Sequence, residues 1–337
     1  MNNENEEILN EEPAAETFPE IASVPSGTIT AKPGKVKKRI MTISIGLLAS
    51  IAIGVGIGFG AARFLKHDIV DYANDASAYK DDISVTMKNY ERLKNSGGNY
   101  SGMKAYDLIN VSYNLYSQQE KSSSIGVGVS LAVMNTRQVI QSRTAREGDR
   151  YFEESNSYSN FVSIYDRMYQ EGGTTTTYWG GNKNYPGHAA KAYSNEEYAA
   201  MMGRQVSEGL IYVVSSKTVI EGDSTPSGDA PTSVKKTADG YVAEIELKRS
   251  SAVINYVKQM QTISNLASKP VFDYVHLTVY TDASLMLKKM VTHEKYTAVM
   301  AGFSSPCEGT LTTVYQIGAD AEGIPEIGDT TTYPENL

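Results

Sequence analysis

Few residues of this sequence have the type and spacing for covalent or metal chemistry. The four histidines, His67, His188, His276 and His293, are scattered. None belongs to a His-Glu-x-x-His pattern, which would put two imidazoles on one helical face for zinc. His293 and Glu294 are adjacent in a stretch that alternates like a strand, so their side chains point to opposite faces and do not serve one substrate. His276 alternates with tyrosines and reads as a core or rim residue. The nearest approach to a nucleophile elbow, Gly302-Phe303-Ser304-Ser305-Pro306, ends in proline where glycine is needed. The single cysteine, Cys307, has no histidine near it in sequence and reads as an inert thiol. One cysteine also excludes an internal disulfide framework and a multi-cysteine metal site. Glu221, Asp223 and Asp229 crowd one loop without the spacing of a calcium loop, which leaves a solvated turn. The glycines at 54–58 and at 126–128 lie in an apolar run and in a strand, so neither set forms a phosphate loop. No catalytic residue, metal or cofactor is expected, and the chain is not expected to be an enzyme. A net charge of −8 gives a nucleic-acid role no electrostatic support.

Binding and anchoring chemistry is more visible. Residues 40–62 hold no charged side chain, and these 23 residues reach roughly 34 Å as a helix, enough for a hydrocarbon core of about 30 Å. Lys32, Lys35, Lys37, Lys38 and Arg39 crowd the N-terminal flank, against Arg63 and Lys66 on the other. That asymmetry predicts a single-pass anchor in the cell membrane, with a cytoplasmic N-terminus and residues 63–337 outside. The length of the run and the 39 residues before it argue against a cleaved signal peptide, although Gly60-Ala61-Ala62 offers small residues where a peptidase could cut. Ser50, Gly54, Gly58 and Ala62 recur every four residues, a spacing that lets a second helix come close, either from another copy or from a membrane-protein partner. Glycine is also simply common in membrane helices, and both readings stand.

The elements around these groups divide the chain. Residues 1–39 are polar and read as a disordered cytoplasmic tail. Residues 63–100 form a juxtamembrane segment. Within it, Ile69, Tyr72, Ala76, Tyr79, Ile83, Thr86, Tyr90 and Leu93 predict a helix over 67–94, either a stalk or a helix packed on its own domain. A second helix spans 102–117. The period then becomes two: Ile125, Val127, Val129, Leu131 and Val133 alternate with Gly126, Gly128, Ser130 and Ala132. A face that small invites close approach by a backbone or a ligand. Hairpins turn at Gly148 and at Gly172-Gly173. Ser194 and Glu197 make a capping box. Strands are expected over 211–220, 241–248, 271–282, 285–300 and 311–317, with a helix over 251–266. The fold class is α+β: after the transmembrane helix comes an extracytoplasmic domain, 101–318, of a curved antiparallel sheet with a few covering helices. Residues 319–337 are acidic and read as a flexible tail.

The domain ends in Phe272-x-Tyr274-x-x-Leu277-x-Val279-x-Thr281-Asp282, then Glu294-Lys295-Tyr296, then Gly309-Thr310-Leu311-x-x-Val314-Tyr315. With the order of elements before it, this resembles the LolA/LppX-like lipoprotein-carrier fold over residues 101–318. The resemblance implies a half-barrel whose apolar cavity holds acyl chains or a lipidated protein. Val127, Val129, Leu131, Tyr274, His276 and Tyr280 are the candidate cavity-lining residues. Carriers of that family are soluble or lipid-anchored, whereas this chain has a helical tether, so it would present, sense or hand over a ligand beside the membrane of a bacterial cell envelope. The alternative is a non-enzymatic envelope scaffold acting through its transmembrane helix and domain surface.

Overall fold

The computed structural model describes residues 76–132, 136–159, 163–180, 191–202, 210–221, 232–263, 269–300, 303–327, 329, 331–334 and 337. The apolar run 40–62, with Ser50, Gly54, Gly58 and Ala62, lies outside them. Among the described residues no helix is long and apolar enough to cross a membrane.

Two helices lead the chain, α1 (Ile83–Asn95) and α2 (Ala105–Ser117). The single helix expected over 67–94 is interrupted. A short 3-10 turn, Ala76–Tyr79, precedes a break, and Asp82 then caps α1 by accepting the Ser84 N–H at 2.9 Å. A carboxylate at that position satisfies an orphan donor and fixes the start of the helix. The described part of this segment packs on α2 instead of standing away as a stalk. Tyr90 stacks on Tyr100 at 5.6 Å, and Thr86 donates to Asp107 at 2.9 Å.

Strands follow in a meander: β1 (Lys121–Ala132), β2 (Thr136–Glu147), β3 (Arg150–Tyr158), β4 (Ser163–Glu171), β5 (Thr174–Gly180) and β6 (Lys191–Ser194). Gly148, Gly172 and Gly173 take positive φ at the two tight turns, where a side chain would be strained. The capping box opens α3 (Asn195–Met202), with Ser194 and Glu197 bonding each other's backbone N–H at 3.0 and 3.1 Å. Then come β7 (Val219–Ile220), β8 (Ser233–Lys236), β9 (Gly240–Leu247), α4 (Ile254–Ile263), β10 (Val271–Asp282), β11 (Leu287–Met300) and β12 (Phe303–Ile317). The strand expected over 211–220 shrinks to β7. Residues before it satisfy their backbone elsewhere: Val213 N–H donates to Ala252 O at 2.8 Å, and Asn110 Nδ2 donates to Val214 O at 3.0 Å.

The described strands form one large, curved, twelve-stranded antiparallel sheet, ordered β6-β5-β4-β3-β2-β1-β12-β11-β10-β9-β7, with β8 beside β7 on the outer edge of β9. Two meanders are joined by β1 and β12, where Ser122 pairs with Ile317 and Leu131 with Glu308. Helix α2 covers one face. Its Leu108, Ile109 and Val111 are fully buried with Ala243, Ile245 and Leu247 of β9 and Val275, Leu277 and Val279 of β10. Tyr241 ties the loop before α2 to this core: its hydroxyl accepts the Tyr100 N–H at 3.1 Å and donates to Gly98 O at 3.2 Å.

Composition alone suggests a loose segment after Gly318, yet its described residues are tied to the sheet face opposite α2. Glu322 N–H donates to Ser123 Oγ at 2.9 Å, and Arg143 donates to Gly323 O at 2.8 Å. Arg167 donates to the carbonyls of Glu326 and Ile327, each at 3.2 Å, and to that of Asp329.

Candidate functional site

The helix-covered face changes character along the sheet. Over β9 and β10 it is mainly aliphatic, and on β11 Met290 and Tyr296 share it with Thr292 and Glu294. Over β1 to β5 it carries Ser122, Ser124, Ser130, Gln138, Ser142, Glu153, Ser155, Ser157, Thr175 and Thr177, all buried. Asp166 of β4 belongs to this polar half, and among the described residues its Oδ2 has no hydrogen-bond partner. Burial pushes its carboxyl well above the usual range.

A cavity of about 450 Å³ lies at the seam between the two halves, under α2. This is within the range of small-molecule sites, about 300–1,000 Å³. Its floor is hydroxylated. Ser124 Oγ and Thr144 Oγ1 share a hydrogen bond of 2.7 Å, with Ser122, Ser142 and Thr313 alongside. Its walls are aliphatic and aromatic: Leu210, Ile211 and Val213 from the irregular segment, Met290 and Leu311 from the sheet, Tyr113 and Tyr116 from α2, and Tyr315 from β12.

Period-two alternation builds this floor. Ser122, Ser124, Gly126 and Gly128 share a face of β1, and across the ladders they meet Arg146, Thr144 and Ser142 of β2 and Tyr315, Thr313 and Leu311 of β12. Gly126 keeps the floor low, because a Cβ there would run into Ser142 Oγ and sit 3.1 Å from Thr313 Oγ1.

The tyrosines are donors, not bases. Tyr113 and Tyr315 join hydroxyls at 2.7 Å, and burial raises both phenol pKa values. Burial pushes Tyr116 up to about 12, against the opposing pull of its hydrogen bonds with Ser122 and Thr144. Arg146 supplies positive charge at the wall, donating to Ser117 O at 2.8 Å with its guanidinium 5.9 Å from the Tyr151 ring centre. Lys80 and Asp81 are the other charged lining residues. Among the described residues no pair of acid and base converges here on a point where a substrate atom could react. Among the described residues no cluster of three or more His, Cys, Asp or Glu could hold a metal ion.

Behind the wall, Glu294 is fully buried. Tyr212, a lining residue, donates to it at 2.5 Å and Tyr256 at 2.8 Å. Burial raises the carboxyl to about 7, and the two phenol hydrogen bonds oppose that rise.

The six residues expected to line a cavity lie together, but on the other face. Val129 aligns through Thr310 and His293 with His276, and Leu131 through Glu308 and Lys295 with Tyr274. Val127 and Tyr280 share that face. None of the six lines the cavity under α2. The alternation was legible. Which side α2 covers was not, because a period of two is the same read from either face. Tyr274, His293 and Glu308 instead form a polar cluster: Tyr274 hydroxyl lies 3.0 Å from His293 Nε2 and donates to Glu308 at 3.1 Å. The hydroxyls of the floor left one trace in the sequence, the polar residues at even positions along residues 122–130 and 138–146.

No protein-family model matches the chain, and no curated protein does. Solved structures give weak likenesses. One is a LolA superfamily protein from Nitrosomonas europaea, 10% identical, with a TM-score of 0.24, covering 66% of this chain and 96% of that one. Another is a DUF1329 family protein from Desulfovibrio piger, 12% identical, with a TM-score of 0.22, covering 63% of this chain and 90% of that one. The first is of the superfamily that the order of elements resembles. With overlap this low, neither lends this chain a residue role or a ligand.

Proposed function

We propose that this protein is a non-catalytic binding protein that holds an amphipathic ligand, a lipid or the lipid of a lipidated partner, in the cavity under α2. It does so tethered to the cell membrane by residues 40–62. The observation that carries the reading is the position of the cavity on the seam of the sheet face. An apolar chain would lie against Leu210, Ile211, Val213, Met290 and Leu311. A polar group would meet the hydroxyls of Ser122, Ser124, Ser142 and Thr144, with Arg146 beside them. Burying a polar group is tolerable only where it finds hydrogen-bond partners, and this floor offers several. The hydroxylated floor departs from the wholly apolar cavity that the family resemblance implied, and it narrows the ligand to one with both characters.

Photo-crosslinking tests this. The full chain in detergent is irradiated with a photoreactive palmitate and with a photoreactive lysophospholipid, and the modified peptides are mapped. The expected adducts fall on α2, 210–214 and β11–β12, and Ser142→Phe, which fills the floor, removes them. Thr310→Phe, on an exposed position of the opposite face, leaves them unchanged. Adducts confined to 40–62, or a pattern indifferent to Ser142→Phe, would overturn the proposal and move the weight to a scaffold role.

A further inference from the structure

The two ends of the cavity under α2 differ in charge. Asn110 of α2 donates to Val214 O at 3.0 Å, so the apolar segment 210–214 lies beside the N-terminal half of the helix. Arg146 donates to Ser117 O at 2.8 Å, so its guanidinium lies at the C-terminal end. Seven residues of helix separate these two contacts, roughly 10 Å. Asp81, the carboxylate among the lining residues, belongs to the apolar end. It accepts from the Ser216 N–H at 2.6 Å and from Ser216 Oγ at 2.8 Å, just beyond Val214. Its neighbour Lys80 is exposed.

Arg146 is half-buried, held in place and not neutralised. The Ser117 carbonyl takes one N–H, and the Tyr151 ring centre lies 5.9 Å from the guanidinium. Among the described residues no carboxylate forms an ion pair with it. Glu153 lies diagonally across the β2–β3 ladder from Arg146, yet it takes the Tyr151 hydroxyl at 3.5 Å instead. A guanidinium has five N–H donors and stays charged, and its bonds to an anion are stronger than neutral ones. Ser122 sits directly across β1 from Arg146, and Ser124 sits across from Thr144, so three hydroxyls stand ready for an anion's remaining acceptor sites. The charge also reaches the Tyr116 phenol, where it opposes the effect of burial. We infer that this end of the cavity is a subsite for a singly charged anionic head group, a carboxylate or a phosphodiester, whose apolar chain runs along α2 toward 210–214. One cation matches one negative charge, and the Asp81 carboxylate at the far end repels a head group entering the other way round. This subsite presupposes the lipid-holding cavity proposed above and adds the sign of the head group and its direction.

The test uses the full chain in a non-ionic detergent at mildly alkaline pH. A photoreactive hexadecanol, which has the chain without the charge, labels the cavity. Palmitate, palmitoyl lysophosphatidylglycerol and plain hexadecanol compete with it. On the unaltered chain palmitate, the lysophospholipid or both should displace the probe from 210–214 at least about tenfold more effectively than hexadecanol. Arg146→Gln should bring that ratio close to one, and Arg146→Lys, which keeps the charge, should retain most of it. A gain for palmitate alone identifies a carboxylate head, a gain for the lysophospholipid alone a phosphodiester, and a gain for both the charge itself. Equal displacement by charged and neutral competitors, or a ratio that Arg146→Gln does not lower, would overturn the inference and leave the cavity reading standing. Failure of the neutral probe to label 210–214 at all would overturn the cavity reading and the inference with it. The first comparison needs no variant, and labelling by the neutral probe reports whether each variant still has its cavity.

Discussion

The protonation of Glu294 has a consequence for stability that can be worked out. Its carboxyl is raised to about 7 by burial, whereas in the unfolded chain it sits near 4.5. Between those values the folded state binds more protons than the unfolded state. Stability from this group is therefore full below about pH 4.5 and is lost as pH rises to about 7, where the loss reaches about 3 kcal/mol. Glutamine cannot titrate, yet it can still accept one phenol hydrogen bond. Urea midpoints of the unaltered chain and of Glu294→Gln should diverge between about pH 5 and pH 7, the glutamine variant gaining relative to the parent, and the difference should level off above that. Parallel pH profiles would show that the carboxyl is not held at that value. Tyr212 links this group to the cavity wall, so the same titration should alter the mobility of residues 210–214.

At the scale of an element, β1 is closely packed against both of its neighbours. Its two inward glycines have different neighbours. A Cβ at Gly128 would meet backbone, the Thr310 carbonyl and, at 2.9 Å, Leu311 Cα, and backbone in a ladder cannot move aside. A Cβ at Gly126 would meet the hydroxyl ends of Ser142 and Thr313, and the first can rotate away. Gly128→Ala should cost about 2–3 kcal/mol by overpacking, and Gly126→Ala clearly less, as read from denaturant melts of the two variants. Equal costs would mean that β1 and β12 sit farther apart than described. The alternation of β1 and its small face were visible in the sequence. The partner that makes the small face necessary, β12, lies some 180 residues away in the chain, and no local pattern announces it.

At the scale of the whole molecule, the tether is a proposal that rests on sequence. Residues 40–62 and their basic N-terminal flank predict that the chain stays in the membrane pellet after alkaline extraction. They also predict that protease added to intact cells removes the domain while leaving the N-terminal segment protected. Release of the chain by alkali would exclude an integral anchor. The helix contact through Ser50, Gly54, Gly58 and Ala62 belongs to the same proposal.

What the sequence determined by itself is what local forces control. Glycines that tolerate positive φ placed both tight turns, the Ser194–Glu197 box placed the start of α3, and period-two runs placed most of the long strands. Where a local competitor was stronger, the reading failed: Asp82 capped α1 and broke a longer helical pattern, and Asn110 and Ala252 took the backbone groups of the expected strand over 211–220. Only the tertiary structure decided which face of the sheet α2 covers, that a hydroxylated floor meets aliphatic walls at the β1–β12 seam, and that the acidic C-terminal segment is gripped by Arg167. Each of these depends on contacts between residues far apart in the chain. Alternation in a strand names two faces and leaves open which is buried. The apolar stripe of α2 lies against the aliphatic face of β9 and β10, and the valine face of β1 is on the other side of the sheet.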